Sequence, residues 1–409
     1  MRAEVVGVGT ELLLGQIVNT NAQRISRALA DIGVGVYFHT VVGDNLERGR
    51  DALAAALERS DVVVVTGGLG PTPDDITREM VAATFGRTLV RDERLVEIIR
   101  GFFASVGREM PEENLKQADV PDGAVVIDPE GTAPGFYLEA DDKMVVALPG
   151  VPWEMQAMLE KVILPLLRER TGAGTIVSRE LYVIGLGESA THEKIKDIVA
   201  AQTNPTIAYL SSKGQVRVRL TAREASEAAA LAVIDPVAEQ IRERLGNAAV
   251  AGFPESLATA VGALLRERKE TIAVVESLTG GLIGAELTAQ PGASDYFIGS
   301  LVCYTDEAKR AVAGIDPAIL DAPGAVSAEC AGALAEAAVA RVGADLGLAA
   351  TGVAGPGAQS GIPAGTIFVA AAYRGRTESR KVRGYGDRDN VRAVAVTSAL
   401  DLGRRMLEA

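Results

Sequence analysis

The chain has 409 residues, of which 48% are hydrophobic and 4% aromatic, so its core must rely on aliphatic side chains. Its 54 acidic against 41 basic residues give a net charge of −13, which argues against a nucleic acid or a membrane surface as partner. Anionic small molecules stay possible, because helix amino ends bind phosphate without net positive charge. The length allows two or three domains.

The cysteine and histidine contents restrict the chemistry further. Cys303 and Cys330 are too few for a disulfide framework, which favours a reducing cytoplasmic location. Two histidines make a His-based triad or a His-rich metal site unexpected. The first residues read directly as a strand and no long apolar span follows, so we expect neither a signal peptide nor a membrane segment.

The amino-terminal part alternates strand-like apolar runs with amphipathic helices. Residues 5–8 form an apolar run that ends at Gly9-Thr10-Glu11, and Asn19-Thr20-Asn21 then begins a helix. Four consecutive valines at residues 62–65 are typical of a strand buried on both faces. This alternation predicts an α/β fold with a doubly wound parallel sheet.

A glycine-rich turn follows the valine strand. Its three glycines would let the backbone approach an anion, and the next helix amino end would supply N–H donors. Asp74 and Asp75 close the turn and could hold a divalent metal, since hard cations prefer oxygen ligands. A tight structural turn, in which Asp75 caps the next helix, explains the same residues and stays open.

Two glycine-containing stretches, Thr171-Gly172-Ala173-Gly174 and residues 252–256, read as linkers. They predict domains at residues 1–170, 171–251 and 252–409. The middle segment has a βαββα order that resembles an RNA-binding module, but it lacks a basic stripe and interleaved aromatic residues. We therefore predict a spacer or dimerisation domain, and a homodimer.

The most informative stretch runs from residue 271 to residue 309. An apolar run stops at Glu276-Ser277, which predicts a buried parallel strand with Ser277 at its carboxyl end, where open α/β sheets bind ligands. Lys309 follows the next strand, in the first turn of a helix, where a partly buried cation should lose proton affinity. A serine and a proton-poor lysine suit a Ser/Lys hydrolase. Alternatively, Ser277 or Thr279 merely caps a helix and Lys309 is solvated.

Further loops at strand ends extend this candidate site. Residues 351–357 form a second glycine-rich loop, which is a candidate cradle for a phosphate or a carboxamide. Arg388 begins the last helix between two carboxylates. It either pairs with those carboxylates or clamps a phosphate monoester.

Two ordered sets of motifs resemble the CinA family (competence/damage-inducible protein A). The amino-terminal set resembles that family's molybdopterin-binding-like domain, and the carboxy-terminal set its nicotinamide-nucleotide deamidase domain. The middle segment is similar to its KH-like connecting domain. The motifs are Gly9-Thr10-Glu11, Asn19-Thr20-Asn21, residues 67–72 with Asp74-Asp75, Lys116-Gln117, residues 131–135, 148–155 and 276–281, Gly292-Ala293-Ser294, Tyr304 with Lys309, residues 351–356 and 386–389.

The resemblance implies two activities in pyridine-nucleotide salvage. One is hydrolysis of nicotinamide mononucleotide to nicotinate mononucleotide and ammonia, without a cofactor. The other is cleavage of ADP-ribose with a divalent metal, for which Asp74 and Asp75 are the first candidates and Glu11 and Asp44 the next. A non-catalytic nucleotide- or pterin-binding protein, or one active and one degenerate domain, are the alternatives.

The resemblance also implies residue roles in the deamidase. Ser277 attacks the carboxamide, Lys309 takes its proton, and Lys309 or Tyr304 protonates the ammonia. Backbone N–H groups at residues 279–281 are the expected oxyanion donors. The remaining predicted substrate-binding residues are Glu276, Thr279, Gly280, Gly281, Ser294, Thr351, Gly352 and Arg388 in the deamidase, and Gly9, Thr10, Glu11, Asn19, Asn21, Gly67, Gly68, Gly70, Thr72, Pro149 and Gly150 in the amino-terminal domain.

The chain departs from the family pattern at a few positions. Leu278 stands where the family usually has Cys, Ser300 where it has Gly, Ala358-Gln359 where it has Gly-Gly, and Ile362 where it has Lys. Ser277 and Thr279 are intact, so these changes bear on affinity more than on chemistry.

Overall fold

The computed structural model describes residues 1–171 and 175–409. Contacts divide the chain into two compact units, residues 1–177 with 223–230, and residues 178–222 with 231–409. The predicted linker at residues 171–174 lies mostly outside the described residues, so the predicted domain boundaries stay sequence predictions. Within the described residues, no helix is both long enough and apolar enough to cross a bilayer.

The first unit is an α/β fold around one mixed sheet. Its strands are β1 (Arg2–Val8), β2 (Gly35–Val42), β3 (Val62–Thr66), β4 (Leu89–Arg91), β5 (Asp119–Pro121), β6 (Val125–Ile127), β7 (Gly135–Ala140) and β8 (Lys143–Leu148). Its helices are α1 (Thr10–Leu13), α2 (Thr20–Asp31), α3 (Leu46–Arg59), α4 (Thr77–Thr84), α5 (Glu93–Ser105), α6 (Pro152–Met158) and α7 (Leu164–Thr171), with a 3-10 turn at Glu112–Ala118 and a π turn at Leu159–Ile163.

The sheet order β2-β1-β3-β8-β7-β6 confirms the doubly wound prediction and adds an antiparallel edge. Strands β2, β1, β3 and β8 run parallel, whereas β7 and β6 run antiparallel to their neighbours. The direction changes because Asp141 and Asp142, both with positive φ, join β7 to β8 in a tight hairpin. Helix α2 packs with α6 on one face of the sheet, and α3 packs with α4 on the other.

The middle module has the predicted βαββα order. It comprises β9 (Thr175–Ile184), α8 (Glu188–Ala201), β10 (Thr206–Ser212), β11 (Gln215–Glu224) and α9 (Glu227–Leu245). Its sheet order is β10-β11-β9. Tyr182, Ile184 and Val250 join the hydrophobic core of the carboxy-terminal fold, so within the second unit the module packs as part of that core.

The carboxy-terminal fold is a second mixed sheet flanked by helices. Its strands are β12 (Ile272–Glu276), β13 (Phe297–Val302), β14 (Leu346–Val353), β15 (Thr366–Tyr373) and β16 (Arg376–Arg383). Its helices are α10 (Leu257–Arg268), α11 (Leu282–Thr288), α12 (Asp306–Ala308), α13 (Pro317–Ile319), α14 (Ala328–Val342) and α15 (Arg388–Glu408), with π turns after α12 and α13 and short 3-10 turns at Gly246–Ala248 and Ala293–Asp295.

The sheet order is β13-β12-β14-β15-β16, in which the first three strands are parallel and the last two antiparallel. Strand β12 is buried at every position, as predicted for the run before Ser277. Strand β16 is absent from the sequence predictions because its residues are mostly charged. It forms because Arg374 and Gly375, both with positive φ, turn the chain back along β15.

Candidate functional sites

Ser277 and Lys309 face one cavity of about 590 Å³ in the carboxy-terminal fold. Ser277 directly follows β12, and Lys309 follows the helical turn α12 after β13, so adjacent parallel strands bring both to the same sheet edge. Both residues are buried, with 7% and 3% of their surface exposed. The predicted position of Lys309 is also observed, since the Thr305 hydroxyl accepts a hydrogen bond from the Ala308 amide at the helix start.

No hydrogen bond joins the Ser277 hydroxyl to the Lys309 amine among the described residues. The Lys309 ammonium instead lies 3.5 Å from the Asp306 carboxylate, three residues earlier on the same helical turn. Asp306 is the local counter-ion for a buried lysine at this position, and the contact holds the amine at the cavity wall. The two groups therefore line one cavity without a hydrogen bond between them in the described part of the chain.

Glu276 stabilises the turn at residues 277–281, between β12 and α11, and does not line the cavity. Its side chain is fully buried, and its carboxylate accepts hydrogen bonds from the amides of Gly281, Ile283 and Gly284 at 2.9–3.0 Å. The Ser300 hydroxyl donates a fourth bond at 2.9 Å. Glu276 is thus the cap of helix α11, and the Ser-for-Gly departure at residue 300 adds a donor to it.

This cap removes two of the three backbone amides that were expected to supply oxyanion donors, those of Gly280 and Gly281. The Gly281 amide donates to Glu276, and the Gly280 amide donates to the Ser277 carbonyl at 3.1 Å. Neither N–H is free for a substrate, because the turn uses them to start α11. Thr279 is fully buried outside the cavity lining, and its hydroxyl has no hydrogen-bond partner among the residues that the structure describes.

Arg388 and Tyr304 lie together in the lining of the same cavity. The Arg388 guanidinium donates to the Gly355 carbonyl at 2.8 Å and to the Tyr304 hydroxyl at 2.6 Å. Among the described residues it forms no ion pair with the neighbouring carboxylates, whereas Arg392 pairs with Asp389 at 3.4 Å. The clamp interpretation of Arg388 therefore fits the geometry better than the salt-bridge interpretation.

The glycine-rich loop after β14 contributes the opposite part of the lining. Thr351 is buried, and its hydroxyl donates to the Ala325 carbonyl at 2.7 Å, so it fixes that wall. A Cβ atom at Gly352 would lie 2.4 Å from the Thr366 carbonyl oxygen, which explains the glycine. Ser294 lies elsewhere, because it precedes β13 and Ile272 pairs with Phe297 at the amino edge of the parallel strands.

The second cavity, of about 510 Å³, lies at the carboxyl ends of β1, β3 and β8 in the first unit. Arg78 is buried and lies outside the cavity lining. Its guanidinium donates to the Leu69 and Gly70 carbonyls at 2.8 and 2.6 Å, and these bonds hold the glycine-rich turn in place. Burial lowers the pKa of Arg78. The predicted binding residues that face this cavity are Glu11, Asn19, Asn21, Gly67, Gly68, Gly70, Pro149 and Gly150.

Asp75 shapes the turn and does not cap the next helix. Its Oδ2 accepts hydrogen bonds from the Thr72 amide at 2.9 Å and the Thr72 hydroxyl at 2.5 Å, while Ile76 begins α4 without a side-chain cap. Lys116 donates to the Thr72 and Asp75 carbonyls and so links the turn to the following segment. Asp75 faces the cavity, but Asp74 and Thr72 lie outside its lining.

The predicted metal pair does not fit a metal centre. Among the described residues, no group of three His, Cys, Asp or Glu side chains is placed to hold an ion. Asp75 already accepts two hydrogen bonds from Thr72, and Asp74 is exposed away from the cavity. Asp44 is also engaged, because its carboxylate accepts a hydrogen bond from the Thr10 amide at 3.0 Å.

Two further residues predicted for the amino-terminal site, Gly9 and Thr10, lie outside the cavity lining. Thr10 and Asp44 bond each other reciprocally, since the Asp44 amide donates to the Thr10 hydroxyl at 3.2 Å. The Gly9 amide donates to the Val42 carbonyl at 2.9 Å. The pair ties the loop after β1 to the loop after β2.

Glu154 is a cavity residue that the sequence interpretation did not single out. It lies in the first turn of α6, with 7% of its surface exposed, and burial raises the pKa of its carboxyl. It belongs to the Pro-Gly-containing motif at residues 148–155. An acidic residue shortly after a Pro-Gly turn at a strand end is the signal that could have found it. For the buried Arg78, the sequence offered no signal.

The structure defines a protein with two α/β folds, each with a cavity at the carboxyl ends of its parallel strands, and a βαββα module between them in the sequence. Family models agree with this description. Residues 4–169 match a probable molybdopterin binding domain, residues 178–251 the damage-inducible protein CinA KH domain, and residues 254–407 the CinA C-terminal domain.

Relatives extend the match to the full length. A CinA-like protein of Dictyoglomus thermophilum is 44% identical over 409 residues, covering 100% of this chain and 99% of the relative. A putative competence-damage inducible protein of Acetivibrio thermocellus is 46% identical, covering 99% and 98%. A CinA crystal structure from Thermoplasma acidophilum is 40% identical over 41% of this chain and 99% of that chain, with a TM-score of 0.38. The chain belongs to the CinA family.

Proposed function

We propose that the carboxy-terminal cavity is a Ser/Lys amidohydrolase site that converts nicotinamide mononucleotide to nicotinate mononucleotide and ammonia. The observation that carries the proposal is the burial of Ser277 and Lys309 in one cavity at adjacent strand ends. A buried lysine beside a serine hydroxyl is a recognised way to activate the serine as a nucleophile. The family resemblance supplies the identity of the amide.

The chemical steps follow from the placed groups. The Ser277 oxygen attacks the carboxamide carbon while its proton passes to Lys309, which must be uncharged and must move away from Asp306 toward the serine. The resulting ammonium then offsets the negative charge on the tetrahedral oxygen, a role that Gly280 and Gly281 cannot fill. The C–N bond breaks, ammonia leaves with a returned proton, and water hydrolyses the acyl-serine.

Tyr304 is the alternative source of that returned proton. Its oxygen accepts a hydrogen bond from Arg388, so its own hydroxyl hydrogen stays available for the leaving nitrogen. Arg388 in the same cavity is the group suited to the substrate phosphate, because a guanidinium binds phosphate in a fixed fork geometry.

Ammonia release from nicotinamide mononucleotide by Ser277→Ala and Lys309→Met tests this proposal. Each variant should lose about a thousandfold or more in kcat, as for other nucleophile and base removals. Peptide mass spectrometry after rapid quenching should detect the acyl group on the Ser277 peptide of the wild type only. Near-wild-type ammonia release by either variant, with an unchanged circular dichroism spectrum, would overturn it.

A second candidate function concerns the amino-terminal cavity. Its glycine-rich turn has positive φ at Gly67 and Gly68, which lets the backbone approach a pyrophosphate closely. The lining also contains the carboxylates of Glu11, Asp75 and Glu154. We propose ADP-ribose as the ligand that is hydrolysed there, with a divalent metal as the expected requirement. The residues present do not form a metal centre, so no catalytic step is derived through a metal.

Two alternatives are separated by one assay. A binding protein would retain ADP-ribose without releasing AMP and ribose 5-phosphate, and a half-active enzyme would release only one set of products. Product release is measured on the full chain with EDTA or with added magnesium. Metal dependence is expected only for ADP-ribose, and EDTA-sensitive ammonia release would contradict the cofactor-free deamidase.

A further inference from the structure

Lys309 and Asp306 form an ion pair that opposes the catalytic role of the lysine. The Lys309 ammonium lies 3.5 Å from the Asp306 carboxylate, and 3% of the lysine side chain is exposed against 60% of the aspartate side chain. A nearby carboxylate favours the charged form of an amine, and an ammonium cannot take the proton of Ser277. Catalysis therefore needs an event that separates the pair and removes the proton.

The other titratable groups near Lys309 do not supply that event. The thiols of Cys303, directly after β13, and of Cys330, in α14, are fully buried. Burial raises the pKa of both thiols, that of Cys330 to about 11, and the charge of Lys309 opposes the increase. Both thiols therefore stay neutral near neutral pH. In the cavity lining, Arg388 and Tyr304 hydrogen-bond each other at 2.6 Å.

The ligand expected in this cavity carries a positive charge of its own. In nicotinamide mononucleotide the ring that bears the carboxamide is a pyridinium cation, because the ribose is attached to the ring nitrogen. The carboxamide must lie at Ser277 to be attacked, so the ring cation enters the same cavity. Among the described residues, Asp306 is the only carboxylate in the lining of that cavity. A second positive charge nearby disfavours the ammonium form of Lys309.

We propose that the cationic ring of the substrate replaces the Lys309 ammonium as the partner of Asp306 and thereby releases the lysine proton. One N–H bond of the ammonium breaks, its electron pair stays on the lysine nitrogen, and the proton passes to water. The neutral amine is then free to reach the Ser277 hydroxyl. Asp306 determines specificity, because it selects amides carried by a cationic ring. This exchange of ion-pair partners rests on the proposed deamidase function.

Two matched ligands test the exchange by calorimetric titration of the full chain carrying Ser277→Ala, which removes the nucleophile and should prevent turnover. Nicotinamide mononucleotide is compared with dihydronicotinamide mononucleotide, which has the same carboxamide, ribose and phosphate but an uncharged ring. Titrations in buffers of different ionisation enthalpy measure the protons released on binding. Titrations over a series of pH values measure the change in Kd.

Three further substitutions are each combined with Ser277→Ala. Lys309→Met removes the group that loses the proton, and Asp306→Asn removes the carboxylate that is exchanged. Glu307→Gln is the matched control, because Glu307 carries the same charge, neighbours Asp306 in α12, is exposed and lies outside the cavity lining.

The cationic ligand should release a measurable fraction of a proton when it binds. Its Kd should fall with rising pH, by at most about tenfold per pH unit, because it selects the deprotonated lysine. The reduced ligand should release less, and any proton exchanged by the phosphate is common to both ligands. Lys309→Met should abolish the difference in proton release. Asp306→Asn should reduce the preference for the cationic ring about fivefold, and Glu307→Gln should keep it.

Equal proton release by the two ligands, binding of neither ligand, or an unchanged preference in Asp306→Asn would each overturn the proposal. A difference in release that persists in Lys309→Met would assign the proton to another group and overturn it as well. If a combined variant does not fold, the two ligands on Ser277→Ala decide.

Ammonia release by the wild type remains the separate test of the deamidase. Ammonia release together with equal behaviour of the two ligands would support the deamidase and contradict the exchange of partners. Proton release specific to the cationic ligand, without ammonia release by the wild type, would support the exchange as a binding step and contradict the deamidase.

Discussion

The two cavities differ in how the protein treats their polar groups. Around Ser277, Glu276 accepts four hydrogen bonds and the Thr351 hydroxyl donates to a carbonyl, while the buried Thr279 hydroxyl has no partner among the described residues. In the amino-terminal cavity, the Glu154 carboxyl forms no hydrogen bond or ion pair within the described part of the chain. The carboxylate beside Ser277 is therefore held by the protein, whereas the carboxylate of Glu154 is not.

This difference has opposite consequences for mutation. Removing a satisfied group from the carboxy-terminal site leaves its former partners buried and unpaired, which destabilises the fold. Removing an unsatisfied group from the amino-terminal cavity relieves a cost, which should stabilise the fold while weakening ligand binding. The predictions below test the two halves of this comparison.

The largest effect is expected from Glu276→Ala. The substitution leaves the amides of Gly281, Ile283 and Gly284 without an acceptor, and we expect a loss of about 3–5 kcal/mol in the free energy of unfolding. Urea unfolding followed by circular dichroism measures it. If stability stayed within 1 kcal/mol, as an estimate of ordinary surface effects, Glu276 would not be the cap that we describe.

Arg388→Ala should affect binding more than folding. The loss of the guanidinium should raise KM for nicotinamide mononucleotide about tenfold or more, because a charge-assisted hydrogen bond to the phosphate is removed. Nicotinamide riboside, which lacks the phosphate, is the matched control substrate and should show little change. Equal losses for both substrates would mean that Arg388 acts by holding Gly355 and Tyr304.

The carboxy-terminal site was predictable where it depends on local pattern. The apolar run before Ser277 and the Thr305 cap before Lys309 follow from strand and helix rules, so both residues were placed correctly at the sheet edge. Ser294 precedes β13, which runs parallel to β12, so it lies at the edge opposite Ser277. The order of Ser294 and this strand in the sequence was sufficient to place it there. The Asp306 contact of Lys309 has the ordinary i, i+3 spacing of a helical ion pair, so the sequence contained its signal although it was not among the predictions.

The amino-terminal site was harder to predict because its carboxylates have similar sequence contexts and different partners. The carboxylates of Asp44 and Asp75 accept hydrogen bonds from Thr10 and Thr72, respectively. The carboxyl of Glu154 accepts none among the described residues. The bond between Thr10 and Asp44 is long-range, since the two residues are joined only when β1 and β2 pair, whereas the bond between Thr72 and Asp75 is local. The glycine-rich turn itself was predictable, because positive φ at Gly67 and Gly68 is a local requirement.

Ser300→Ala tests how much one hydrogen bond to Glu276 contributes to the stability of the site around Ser277. The hydroxyl gives Glu276 its only side-chain donor among the described residues, and its removal leaves one carboxylate oxygen with the Gly284 amide alone. We expect a loss of about 1–2 kcal/mol in the free energy of unfolding, well below that of Glu276→Ala. Urea unfolding of both variants and of the double variant measures the coupling, and full additivity would contradict a shared network.

Glu154→Gln should produce the smallest effect, with the opposite sign. Burial raises the pKa of the Glu154 carboxyl in the folded protein above that of the unfolded chain. Between those two pKa values the folded state holds more protons than the unfolded state, so the stability of the wild type falls as pH rises through this range. The neutral glutamine does not titrate. The difference in Tm between variant and wild type should therefore be small at acidic pH and grow, in favour of the variant, toward neutral pH.

Differential scanning fluorimetry from acidic to neutral pH measures that difference, with Glu160→Gln as the control because its carboxylate is exposed and accepts a bond from Gln156. The control should show a small change that does not increase in this direction. A pH-independent difference for Glu154→Gln would mean that the carboxyl is solvated or paired in the folded state. The carboxyl of Glu154 would then have hydrogen-bond partners in the folded protein, as the carboxylate of Glu276 has. The proposed difference between the two cavities would no longer hold.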